Sequence, residues 1–154
     1  MVRVTVEIET PGSIDFVRNW WLDYGEGDAN LTGDILARTA LWVDKTTAEL
    51  RTTTRFAGRT VRSDGTVHVL DRNRWRFEGV IHLHEEPFAT VRTDFQLDDL
   101  HDRRRLTARF EFRGVGFGPK VILPFVRPLI RQGLVREYDE FRRAIESEWN
   151  RGNG

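Results

Sequence analysis

From Ala48 to Phe112 the apolar residues fall on every second position, strand after strand, and from Leu129 to Trp149 they switch to a helical spacing. A period of two puts alternate side chains on opposite faces of a strand, whereas a period near 3.6 gathers them on one face of a helix. Such a chain must bury one face of a long antiparallel sheet, and it carries one long amphipathic helix against which to bury it. The expected fold class is α+β, a seven-stranded antiparallel sheet wrapped around a long C-terminal helix.

Val2, Val4, Val6 and Ile8 alternate with Arg3, Thr5, Glu7 and Glu9, which marks a first strand ended by Pro11-Gly12. Ser13 is placed to cap a short helix holding Ile14, Phe16, Val17, Trp20 and Trp21. Because Trp20 and Trp21 are adjacent, one is expected on the sheet and the other near a pocket mouth. Asp23 to Asp34 is polar, contains Gly25, Gly27 and Gly33, and is expected to be a loop. Strands are expected at Ile35–Val43, Thr46–Phe56, Arg59–Asp71, Trp75–Leu83, Ala89–Leu97 and Leu106–Phe112. The turns between them are Asp44-Lys45, Ala57-Gly58, Arg72-Asn73, Glu85-Glu86-Pro87 and His101–Arg104.

Gly114, Gly116 and Gly118, then Pro119, Pro124 and Pro128, predict a bent approach, with straight helix only from Pro128 onward. Ile130, Leu134, Tyr138, Phe141, Ile145 and Trp149 form one stripe on that helix. About 21 residues at 1.5 Å each span about 32 Å, enough to cross the sheet. The chain is expected to be one domain over residues 1–150, with residues 151–154 frayed.

Lys+Arg and Asp+Glu both number 24, so the formal net charge is zero and the basic footprint of a nucleic-acid binder is missing. The absence of cysteine excludes disulfides, thiolate catalysis and Cys-ligated metals. No apolar run approaches the ~18 residues of a membrane span, so no stable membrane insertion is expected. The N-terminus alternates like a strand rather than like a signal peptide, and a cytoplasmic location is the expectation.

Three stretches carry a family likeness: Phe56-Ala-Gly-Arg-Thr-Val-Arg-Ser63, Arg76-Phe-Glu-Gly79, and Gly118-Pro119 leading into the Leu/Arg-rich final helix. With the order strand, short helix, six strands and long helix, the chain resembles the START-like superfamily, also called SRPBCC or helix-grip proteins. Within it the likeness is to the polyketide cyclase/dehydrase and lipid-transport group. The resemblance implies a sheet gripping the last helix around a cavity that takes lipids, sterols, quinones or polyketides.

The ligand-binding residues expected in such a cavity are Thr52, Phe56, Trp75, Phe77, Thr93, Phe95 and Phe110 from the strands, and Ile130, Leu134 and Tyr138 from the helix. Ligand pockets are mostly apolar with a few placed polar groups, a role open to Thr52, Thr54, Ser63, Thr93 and Tyr138. Gly65 and Gly79 are expected to leave room beneath the helix. In this strand register the inner face carries no Asp, Glu, His, Lys or Arg, so no catalytic residue is assigned. Chemistry is left to Tyr24, Tyr138 and the loop Asp23–Asp34. An apolar small molecule is the expected partner, with no cofactor, no metal and no identified partner protein. A cyclase or dehydratase enzyme is one alternative, and an interaction module using the outer sheet is another. His82 and His84 share an outward strand face and lack the further ligands a metal needs. Gly114-x-Gly-x-Gly118 lacks the βαβ context of a nucleotide site. Val121–Val126, the most apolar run, reads as core, or as a gate or a surface that meets a membrane or partner.

Overall fold

The computed structural model describes residues 1–23 and 34–153. Its elements run β1 (Val2–Thr10), α1 (Ile14–Leu22), β2 (Ile35–Trp42), β3 (Thr47–Phe56), β4 (Arg59–Asp71), β5 (Arg74–Leu83), β6 (Glu86–Leu100), β7 (Arg103–Gly114) and α2 (Phe117–Asn153). The strands make one antiparallel sheet in the order β1-β7-β6-β5-β4-β3-β2. After β1 the chain crosses by α1 to the far edge and meanders back by hairpins until β7 pairs with β1.

The alternation sets this register. Val2, Val4, Val6 and Ile8 stand opposite Phe112, Phe110, Ala108 and Leu106, and all eight are buried. A one-residue slip of either strand would turn its apolar set to the solvent face. Two hairpins use turns whose central residues both have positive φ: Ala57 (51°) with Gly58 (76°), and His84 (54°) with Glu85 (66°). Such turns match the twist of the strands they join. The β5–β6 turn is therefore His84-Glu85, one residue earlier than expected, and β6 already begins at Glu86. Ser13 caps α1 as expected, accepting a 3.1 Å hydrogen bond from the Phe16 amide.

The final helix departs most from expectation. It begins at Phe117 and runs unbroken through Pro124 and Pro128 to Asn153, through residues where fraying is expected. Both prolines are exposed, so the carbonyls they leave without an N–H donor, those of Lys120 and Pro124, can turn to water instead. Gly114 makes the sharp corner before α2, because a Cβ there would lie 2.5 Å from the Lys120 amide nitrogen.

α2 lies closest to β1 and β7. Tyr138, Phe141 and Ile145 of its stripe are buried, and Trp149 meets Phe16 edge-on at 5.0 Å. The helix is thus anchored over one side of the sheet, while β3 to β6 face it across a gap.

Candidate functional site

That gap is a cavity of about 660 Å³ between the sheet and α2. Thr52, Phe56, Phe77, Thr93, Phe95 and Phe110 line it from the strands, and Ile130, Leu134 and Tyr138 line it from the helix. Thr54 and Ser63 also reach it. Nine of the ten expected residues therefore come together. Thr52, Thr93 and Tyr138 are buried, so their hydroxyls lie in surroundings where a hydrogen bond counts for more than in water.

Aromatic rings close one end. Trp21 touches Phe95, Tyr138 and Phe141 with ring centres 5.7, 5.4 and 5.2 Å apart, and Trp20 meets Phe141 at 5.9 Å. Both tryptophans line the cavity and both are half-buried; Trp21 packs on the sheet at Phe95, whereas Trp20 meets the rings of Trp21 and Phe141. A wider depression of about 750 Å³ lies on the other side of α2. Charged side chains such as Glu7, Arg103, Asp139 and Arg142 dominate its lining.

No family model and no curated protein matches the sequence. Solved structures do match its fold. A protein from Thermus thermophilus superposes with a TM-score of 0.79 at 13% identity, over 96% of this chain and 99% of that one. The Zhui aromatase/cyclase from a Streptomyces species gives 0.75 at 15% identity, over 97% and 94%. A START superfamily protein from Mycobacterium smegmatis gives 0.72 at 15% identity, over 94% and 97%. The chain has the START-like, helix-grip fold. At these identities the likeness shows the fold alone.

Trp75 is not in the cavity wall. It is only 1% exposed and stacks on Phe95, its partner on the next strand, ring centres 5.5 Å apart and planes 16° apart. Gly65 and Gly79 pair across β4 and β5, and the room above them is taken by the ring of Phe77. What the glycines allow is close approach of two strands, not open space. His82 lies 3.8 Å from Asp64, whereas His84 sits in the left-handed turn beside Arg59 at 3.5 Å, so the two histidines do not share a strand face.

Val121–Val126 is not simply core. Leu123 is buried, but Phe125 is 81% exposed, and Val121 and Ile122 are exposed as well, with Ile122 also reaching the cavity. Among the described residues no helix is long and apolar enough to cross a membrane. Tyr24 and the segment 24–33, expected to supply chemistry, lie outside the described residues.

The inner surface is not free of charge. Asp34, Arg38, Arg55, Arg59, Arg136 and Glu137 all line the cavity. Arg38 arrives through a one-residue bulge in β2. Ile35 faces Thr54 and Ala37 faces Thr53, so the extra residue returns Arg38 to the inner face, opposite Thr52. Glu137 sits beside the apolar stripe of α2. Burial pushes its carboxyl up to about 7; Arg38 and Arg136 work against that rise, and Asp34 and Glu140 add to it. Asp34 also binds Arg136 at 2.7 Å. The signal for Glu137 was its helical offset of seven from Ile130, which puts it near the stripe. Nothing in the alternation of β2 marks its bulge.

Proposed function

We propose that this protein binds an apolar small molecule, a lipid, quinone or polyketide-like compound, in the cavity between the sheet and α2. The observation that carries this reading is the lined volume of about 660 Å³, which lies within the roughly 300–1,000 Å³ of small-molecule sites. Support also comes from the shared fold with a START superfamily protein and an aromatase/cyclase. Thr52, Phe56, Phe77, Thr93, Phe95, Phe110, Ile130, Leu134 and Tyr138 are the binding residues in this reading. Apolar contact contributes about 2.5 kcal/mol per 100 Å² of ligand surface, before ordering costs. The glycine corner at Gly114–Gly118 supplies adjustable backbone at the start of α2.

The test is ligand-induced change in indole emission. Trp20 and Trp21 line the cavity, so a bound apolar compound should change their emission. The response should persist in Trp75→Phe and shrink in Trp21→Phe. Thr93→Phe, which fills the space from the sheet, should abolish it while the fold survives. A broad panel of lipids, quinones and aromatic polyketides without response, together with a Thr93→Phe protein more stable than wild type, would show that the interior is ordinary core.

A second reading, a cyclase or dehydratase, is favoured by one observation: a carboxyl held near neutrality and an arginine share the wall of the cavity. Turnover of a polyketide-like chain, lost in Glu137→Gln with binding retained, would support it.

A further inference from the structure

One end of the cavity gathers charges of both signs from separate elements. Glu137 and Arg136 come from α2, Arg38 from the inner face of β2, and Asp34 from the residue ahead of it. Arg136 is engaged with Asp34 at 2.7 Å. Arg55 and Arg59, at the β3–β4 hairpin, complete the charged lining. The rest of the wall is mainly aromatic and aliphatic, with the threonine and serine hydroxyls described above.

We infer that Glu137 is the polar anchor of the cavity and that it donates a hydrogen bond to an uncharged acceptor oxygen, such as a ketone or ester carbonyl, on an otherwise apolar ligand. This rests on the binding reading above and extends it to the chemistry of the ligand's polar end. A carboxylate head placed here meets Asp34 and Glu137 beside the four arginines, and an ammonium head meets Arg38, Arg55, Arg59 and Arg136. An uncharged acceptor meets neither penalty. Burial already holds Glu137 at the midpoint of its titration near neutral pH, opposed by Arg38 and Arg136 and helped by Asp34 and Glu140. An apolar body entering the cavity removes further water from the carboxyl and favours its neutral form. A neutral carboxyl carries an O–H that needs an acceptor once water is gone. Binding and protonation of Glu137 are therefore linked, and the ligand should bind more weakly as pH rises through about 7.

The experiment uses three matched probes, 2-acetylnaphthalene, 2-ethylnaphthalene and 2-naphthoate, with the full chain in equilibrium dialysis at pH 6 and pH 8.5. The ketone should bind about tenfold more tightly than the hydrocarbon at pH 6, a factor that one satisfied hydrogen bond supplies. That preference should shrink at pH 8.5. Glu137→Gln, whose amide still donates, should keep the preference at both pH values. Glu137→Leu should lose it at both while still binding the hydrocarbon. Equal binding of ketone and hydrocarbon at pH 6 overturns the inference, as does tightest binding of the naphthoate or an unchanged pH dependence in Glu137→Gln. These outcomes leave the cavity reading standing. Failure of all three probes to bind at either pH overturns the cavity reading and the inference together.

Discussion

At Gly65 and Gly79 two strands come so close that a single methyl group would not fit. A Cβ on Gly65 would stand 2.2 Å from the Glu78 carbonyl oxygen, and one on Gly79 would stand 2.5 Å from that of Asp64. Backbone cannot move aside as a flexible side chain can. Gly65→Ala and Gly79→Ala should each cost about 1–3 kcal/mol in urea denaturation. Gly118→Ala, on α2 with nothing within 4 Å of its Cβ, should instead be neutral or gain up to about 1 kcal/mol. Glu137 gives a residue-scale effect that depends on pH. Its carboxyl titrates at about 7 in the fold against an ordinary 4.5, so between these values the native state keeps a proton that the unfolded chain has released. Stability from this group therefore falls as pH rises across that window and levels off above it. The full shift corresponds to about 3 kcal/mol, and water reaching this half-buried residue reduces what is realised. Glu137→Gln should match wild type near pH 4.5 and be more stable at pH 8, as followed by urea midpoints. A wild type that gains stability from pH 5 to pH 8 relative to this variant would contradict the assignment.

At the scale of elements, α2 is the informative case. An interior proline costs a helix about 3 kcal/mol, yet this helix holds two, at positions 124 and 128. Their spacing of four residues keeps both rings on the solvent side, where water can reach the carbonyls left without partners. Pro124→Ala and Pro128→Ala should each add helical signal in far-UV circular dichroism and raise stability by about 1–3 kcal/mol. A loss of stability instead would mean that the prolines shape a bend that the packing over β1 and β7 requires. At the other helix, Ser13→Ala removes the acceptor for the Phe16 amide and should cost about 1 kcal/mol. The stripe from Ile130 to Trp149 was legible because it repeats at helical spacing. The continuation back to Phe117 was not, since local rules weigh each proline as a break and do not register which face it occupies.

At the scale of the molecule, the cavity follows from where the helix lands. α2 is held over β1 and β7, and the sheet from β3 to β6 curves past it without closing the distance. Packing energetics should differ between the two regions. Leu106 and Ile145 are fully buried and lie outside the cavity wall, so truncating either to Ala should cost about 3–5 kcal/mol. Phe110 borders the space and already lacks neighbours on one side. Phe110→Ala removes more atoms but should cost less than about 3 kcal/mol. Denaturant titration of the three variants decides the matter: a Phe110→Ala loss at or above those of the other two would argue for a filled interior.

The sequence alone determined the strands, most of their inner and outer faces and the helical stripe, because periods of two and 3.6 are properties of single elements and survive without knowledge of neighbours. Nine of the ten residues expected in the wall do line it, six following from strand alternation and three from the helical stripe. Tertiary structure decided the rest. A bulge after Ile35 turned Arg38 inward, and the helix's rotation brought Glu137 to the wall. Trp75 was buried against Phe95 outside the wall, and Phe77 covered the two glycines. Each of these depends on how two elements meet, and the polar end of the cavity is made at such meetings, whereas its apolar wall is written strand by strand.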